Sequence, residues 1–347
     1  MARIASALLA ALILAFGAEP AAAQRKLDVP AASGWQHAQT GLVLHAKLAG
    51  LPRTDLTDSG NAELDVMAQF GDEADTAATV YVFRPALMSV PIWFDRSETA
   101  ILLRSAFGTA APVAAPLAFA SPLAKNASGL RRVYVPSKGP YKSTALAMLP
   151  LGEWLVAVRI SSQTLDPVQL DAKLSEAVAT IGWPKTPVPE AEAASAVAPC
   201  GKPLAYAKKA KLKKADMSDA LMGAIMSTPL PDDAKGKPGA SLPKPSLYCR
   251  ELPPAAPYGV YRAPEATGAY VMALGDAGVV INIGGMPLFG DTRGVAVSLA
   301  DLEGTSIYPP FESLPNPDQV IGILRGAGAI SRTSRNGKDM TITINTK

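Results

Sequence analysis

Residues 143–184 constrain the fold of this chain more than any other stretch. Ser143–Leu149 and Glu153–Ser161 are two apolar runs separated by Pro150-Leu151-Gly152. In the second run Trp154, Val156, Val158 and Ile160 alternate with Leu155, Ala157, Arg159 and Ser161. Period-two alternation of β-branched and aromatic residues predicts a β-hairpin. Asp166-Pro167 then predicts a helix start. An aspartate there can accept from the free amides of the first turn, proline fits the first helical position, and Gln169 stands where a capping box needs it. Leu170, Leu174, Val178 and Ile181 follow at spacings of four, four and three, the stripe of a helix that Gly182-Trp183-Pro184 brings to an end. Such a stripe, close behind a hairpin, is expected to bury itself on the sheet. Each side chain then stabilises the fold by about 1.5–3 kcal/mol before chain entropy is counted.

The N-terminus reads differently. Arg3, the short apolar stretch Ile4–Phe16 and Ala21-Ala22-Ala23 ahead of Gln24 form the pattern of a secretory signal peptide over residues 1–23. No cysteine follows the expected cleavage site, which argues against a lipoprotein. No later apolar run is long enough to cross a bilayer, so no transmembrane segment is expected after cleavage. The expected location is periplasmic or secreted. In an exported chain the two cysteines, Cys200 and Cys249, are most simply a disulfide, which the loop-entropy model values at about 4 kcal/mol. A zinc site would need two further ligands, and the only histidines, His37 and His45, are distant in sequence. Neither metal nor cofactor is expected. A net charge of +3 is too mild to imply a nucleic-acid partner.

The length and a hydrophobic content of 48% predict two domains with cores of their own. In the first, residues 25–185, a strand pair is expected around Gln39-Thr40-Gly41, and further strands at Leu64–Phe70, Ala78–Phe83 and Leu130–Val135. Val80 and Val82 place their strand in the interior. A helix is expected over Pro91–Phe107 with Phe94, Ile101, Leu102 and Ala106 inward, and a second near 167–182. Ala110–Pro122 reads as a loop. This order predicts an α+β domain with an antiparallel sheet covered on one face. Asp55, Asp58, Asp65, Asp72, Glu73 and Asp75 lack calcium-loop spacing and read as solvated turn residues. The two histidines read as exposed.

Gly41-Leu42-Val43-Leu44, Thr79-Val80-Tyr81-Val82, a middle helix, Gly152-Glu153-Trp154-Leu155-Val156-Ala157-Val158-Arg159 and a closing helix resemble, over the first half of the chain, the PsbP/Mog1-like group of small α+β domains. That resemblance implies partner binding and accessory roles, and carries no catalytic residues with it.

Residues 186–199, rich in proline, glutamate and alanine, read as a linker. Lys202 and then Lys208, Lys209, Lys211, Lys213 and Lys214 crowd the start of the second domain, residues 200–347. They are either a contact for an anionic surface or the solvated face of a helix continuing through Asp216–Met226. Thr228–Pro245 reads as a loop whose ends the disulfide would tie. Tyr258–Arg262 is an expected strand. Hairpins are expected at Ala269–Leu274 with Val279–Ile283, Val295–Leu299 with Thr305–Tyr308, and Ile330–Ser334 with Asp339–Ile344 across Asn336-Gly337. Asn316-Pro317-Asp318-Gln319 opens a helix through Leu324 with the same cap chemistry as Asp166-Pro167-Val168-Gln169. The second domain is thus α+β as well, an antiparallel sheet with one or two helices. Gly284-Gly285 with Gly290 reads as a glycine-permitted turn, because no phosphate-loop lysine follows.

No nucleophile elbow or Ser-x-x-Lys frame is present, and Ser33 and Ser175 lie in no such context. The sequence therefore favours a non-enzyme: an exported accessory or binding protein of a bacterial-type cell envelope. Its implied partner is a protein or an envelope component. The alternative is a secreted hydrolase with a carboxylate-based site that leaves no sequence signature.

Overall fold

The computed structural model describes residues 24–72, 75–122, 124–185, 191–214, 247–255, 257–285, 294–336 and 339–345. The segments expected at Met1–Ala23, Asp216–Met226 and Thr228–Pro245 lie outside the described residues, as do Glu73, Gly290 and Gly337.

The first half of the chain runs through β1 (Arg25–Lys26), β2 (Trp35–Gln36), β3 (Val43–Leu44), β4 (Lys47–Leu48), β5 (Leu51–Asp58), β6 (Asp65–Gly71) and β7 (Thr76–Phe83). It continues with α1 (Val90–Leu102), a 3-10 turn at Ser105–Phe107, β8 (Ala111–Pro112), β9 (Leu117–Phe119), β10 (Gly129–Val135), β11 (Ser143–Leu151), β12 (Trp154–Ser162) and α2 (Pro167–Thr180). Strands β2 and β3 pair with each other. The rest form one antiparallel sheet with the spine β1-β5-β6-β7-β12-β11-β10-β8.

The hairpin at its centre is the one expected, with its turn shifted. β11 and β12 pair without a break from Ser143↔Ser162 to Leu151↔Trp154, so Gly152-Glu153 is the turn. Gly152 has φ +61°, a conformation glycine adopts without strain. At the start of α2 both halves of the capping box form: Asp166 accepts from the amides of Val168 and Gln169, and Gln169 accepts from the amide of Asp166. The helix ends before Gly182, whose role is different. Gly182 and Val43 exchange two backbone hydrogen bonds of 2.8 and 2.9 Å. A Cβ on Gly182 would stand 2.8 Å from that of Val43, so glycine permits the close approach.

The stripe of α2 packs on one face of the sheet, with Ala145, Ala147, Leu149, Val156, Val158 and Ile160. The opposite face is covered too: Leu146, Met148, Leu155 and Ala157 pack with Trp93, Phe94 and Ile101 of α1. Coverage on one face only is therefore corrected. Three consecutive apolar residues, Ile92-Trp93-Phe94, spread around α1 and give it more than one apolar side. Ala106, expected inside, is exposed in the 3-10 turn. The alanine- and proline-rich stretch holds the short strands β8 and β9, both paired to β10.

The second half contains β13 (Ala198–Pro199), β14 (Cys249–Arg250), β15 (Tyr258–Arg262), β16 (Tyr270–Leu274), β17 (Val279–Gly285), β18 (Val295–Ala300), β19 (Gly304–Phe311), α3 (Pro317–Gly326), β20 (Ser331–Asn336) and β21 (Asp339–Ile344). These strands pair in chain order, antiparallel except for the parallel β13–β14 pair. Helix α3 opens with a second complete capping box, Asn316 with Gln319. Its Val320 and Ile323 pack on one face of this sheet with Val260, Met272, Ile281 and Val297.

The other face of the second sheet meets α1. Tyr261, Ala273, Val280 and Ala300 belong to the same hydrophobic cluster as Trp93 and Phe94, so α1 lies between the two sheets. Ala194 and Val197, from the stretch expected to be a linker, pack on that cluster as well.

Candidate functional site

A helix covered on two sides must bury whatever polar residues it carries, and α1 carries Asp95-Arg96-Ser97-Glu98. Burying a charge is costly unless it is paired and hydrogen-bonded. Here each charge finds a partner. Arg96, 2% exposed, donates from Nε to the Gly275 carbonyl oxygen at 2.7 Å and from Nη1 to that of Ala255 at 2.8 Å. The Asp95 carboxylate accepts from the Tyr261 hydroxyl at 2.7 Å and pairs with Arg250. Glu98 turns the other way, accepting from Arg132 Nη1 at 2.7 Å and the Tyr134 hydroxyl at 3.0 Å, both on β10 of the first sheet. Burial pushes the Asp95 carboxyl up from its usual range, against the pull of Tyr261 and Arg250. Burial, then the adjacent carboxylates, raise the phenols of Tyr134 and Tyr261, which stay protonated donors. These bonds tie the two sheets together through α1.

At the margin of this seam lies a half-open cleft of about 210 Å³. Arg84 and Ala86 follow β7 on one side; Asp301, Glu303, Thr305, Thr333 and Met340 come from the second sheet. Its floor is set by strand register. The row Ala273–Val280–Ala300–Thr305–Thr333–Ile342 crosses the second sheet on its seam-facing side. Ala273 and Val280 are buried in the seam, whereas Ile342 at the outer end is 42% exposed. The cleft thus forms where the segment after β7 meets the outer strands of the second sheet.

The carboxylates lining it have structural duties. Asp301 Oδ1 accepts from the amides of Glu303 and Gly304 at 2.9 and 2.8 Å, and its Oδ2 pairs with Arg332 at 2.9 Å. Glu303 accepts from the Asn61 side chain at 2.5 Å, and Arg84 pairs with Glu153 at 2.9 Å. What remains on offer is a mixed wall of Pro85, Ala86, Leu302 and Met340 with threonine and serine hydroxyls. The volume is below the roughly 300–1,000 Å³ usual for small-molecule pockets, and suits a side chain better than a metabolite.

Cys200 and Cys249 form the expected disulfide. The lysines lie on an extended strap rather than a helix face. Ala207 and Lys213 donate backbone bonds to Leu314 and Pro310, Lys211 accepts from Glu312, and Leu212 bridges Phe311. Lys208, Lys209, Lys211 and Lys214 are exposed, while Lys213 is half-buried. The strap and the cleft share no residue.

Several sequence expectations are corrected. His37 is fully buried between Trp35 and Trp154, with ring centroids 5.6 and 4.5 Å away. Its Nδ1 accepts from the Thr40 amide at 3.1 Å and its Nε2 faces the Glu63 carbonyl oxygen at 2.9 Å, which assigns the proton to Nε2. His45 is exposed, as expected. Asp55 and Asp58 belong to strand β5, and Asp58 is buried and paired with Arg25 at 3.2 Å. Asp65, on β6, is not an ordinary solvated carboxylate: burial, then Asp58 and Asp276, push its pKa up to about 6. Gly284 and Gly285 are strand residues of β17.

No metal-binding group of His, Cys, Asp or Glu occurs among the described residues, and no described helix is long and apolar enough to cross a membrane. No family model, curated protein or solved structure matches this chain. The seam residues Asp95, Arg96 and Glu98 were missed by sequence reasoning. The signal that points to them is the Ile92-Trp93-Phe94 triplet, too wide for a helix with one buried side.

Proposed function

We propose that this is an exported accessory protein of a bacterial-type cell envelope, periplasmic or secreted, that works by contact and not by catalysis. A partner polypeptide places a side chain in the cleft between Arg84–Ala86 and β18–β21. The observation that carries this reading is the cleft itself: a side-chain-sized recess at the margin of a hydrogen-bonded seam, whose carboxylates are already held by Asn61, Arg332 and turn amides. The signal-peptide pattern and the disulfide support export. The PsbP/Mog1-like resemblance of the first half supports an accessory role.

The lysine strap is a second contact surface, for an anionic envelope component. None of Lys208, Lys209, Lys211 and Lys214 makes an ion pair among the described residues, and the backbone beneath them is pinned. Binding there would weaken with salt.

Photo-crosslinking in envelope extracts tests the cleft. A photoreactive phenylalanine analogue replacing Thr305 should give one adduct of defined mass. The same analogue replacing Val168, 80% exposed on α2, should give none. Equal labelling at both positions, or none at either, would overturn the reading. Turnover of a hydrolase substrate that is abolished by Asp301→Asn or Glu303→Gln would replace it with the hydrolase alternative.

A further inference from the structure

The strands that end the two sheet paths are not alike, and β4 and β9, which pair beside the first path, have only two and three residues. β1 is Arg25-Lys26, β8 is Ala111-Pro112 and β13 is Ala198-Pro199: each has two residues and carries basic side chains or proline. Those are the devices by which exposed edges avoid pairing with other chains. β21, at the fourth edge, has six residues. From Met340 to Asn345 it reads Met-Thr-Ile-Thr-Ile-Asn, with no charge and no proline. Its register with β20 is unbroken from Ser331↔Ile344 to Asn336↔Asp339, so no bulge turns it away. Met340 and Ile342 are 45% and 42% exposed, and no described strand pairs with its outer edge.

We infer that this edge is an interface between two copies of the chain, with β21 pairing antiparallel to β21 across a twofold axis at Ile342. The strand is self-complementary in that register. Ile342 faces its own equivalent, Met340 faces Ile344 and Thr341 faces Thr343. Paired residues in an antiparallel ladder point to the same side, so apolar side chains gather on one face and threonines on the other. The apolar face continues the row Ala300–Thr305–Thr333–Ile342 from one copy into the next. Residues Met340–Asn345, which pair in this register, carry no charge and offer no electrostatic code to a different partner, whereas the isologous pairing closes after two copies. The inference goes beyond the cleft reading and can fail independently of it.

Sedimentation equilibrium on the exported chain, disulfide intact, should show a reversible monomer–dimer equilibrium. Ile342→Lys should shift it to monomer, with unchanged far-ultraviolet circular dichroism. Both native cysteines are in the disulfide, so an introduced thiol reports cleanly. Ile342→Cys should form a covalent dimer on mild oxidation, whereas Val168→Cys should not. A chain that stays monomeric at every concentration and gives no Ile342→Cys crosslink would overturn the inference. So would a dimer that Ile342→Lys leaves intact.

Discussion

Arg96, on the helix between the two sheets, holds the carbonyl oxygen of Gly275 at 2.7 Å across a sequence separation of 179 residues. With Asp95 bound to Tyr261 and Glu98 to Tyr134, successive positions of one helix reach into both sheets. These bonds cross the seam beside which the cleft lies.

Removing the guanidinium tests the seam. Arg96→Ala leaves two carbonyl oxygens without their donors and a cavity in a covered site. A loss of about 3–5 kcal/mol is expected in urea unfolding. Arg96→Lys should recover little of it, because one ammonium cannot reproduce the fork that reaches Gly275 and Ala255 together. Tyr261→Phe, which removes one donor from Asp95, should cost about 1–2 kcal/mol.

Asp65 makes stability depend on pH. Its folded pKa of about 6 lies above the unfolded value of 3.8, so the folded state prefers the neutral acid. The stability it contributes is fully present below pH 3.8 and is lost as pH rises through about 6, after which it stays flat. Discounted for partial exposure, Asp65→Asn should gain about 1–2 kcal/mol at neutral pH. At pH values below the unfolded pKa it should gain nothing. Urea midpoints across that range measure the difference.

Gly182→Ala should be destabilising. Its methyl group would meet Val43 at 2.8 Å, pushing apart the bridge between α2 and the β2–β3 pair. A cost of about 1–3 kcal/mol is expected, with Gly328→Ala, where a Cβ meets nothing, as the neutral control.

Replacing both Cys200 and Cys249 by serine should cost about 2–4 kcal/mol. The effect should match that of reducing the native protein, since no other cysteine is present.

Legibility in the sequence followed the range of the interactions. Asp166 with Gln169 and Asn316 with Gln319 lie three residues apart, so both capping boxes and their helices could be read directly. The hairpins β16–β17, β18–β19 and β20–β21 were likewise carried by alternation and short turns. Strand β5 was not legible: Leu51–Asp58 contains Pro52 and two aspartates, and a bulge between Arg53 and Asp55 breaks its period. His37 gave no sign of burial because its covering residue Trp154 is far along the chain. Nothing local marks Asp95 and Arg96, for their partners Arg250, Tyr261 and Gly275 are 155 to 179 residues away. The cleft combines the segment after β7 with residues of the second sheet, and no local pattern announces it.

Scanning calorimetry on the oxidised, exported chain tests most directly whether the two sheets form one unit around α1. A shared core and seam should give a single unfolding transition, with a calorimetric to van't Hoff enthalpy ratio of about 1. Two separable transitions, neither of them moved by Arg96→Ala, would contradict it.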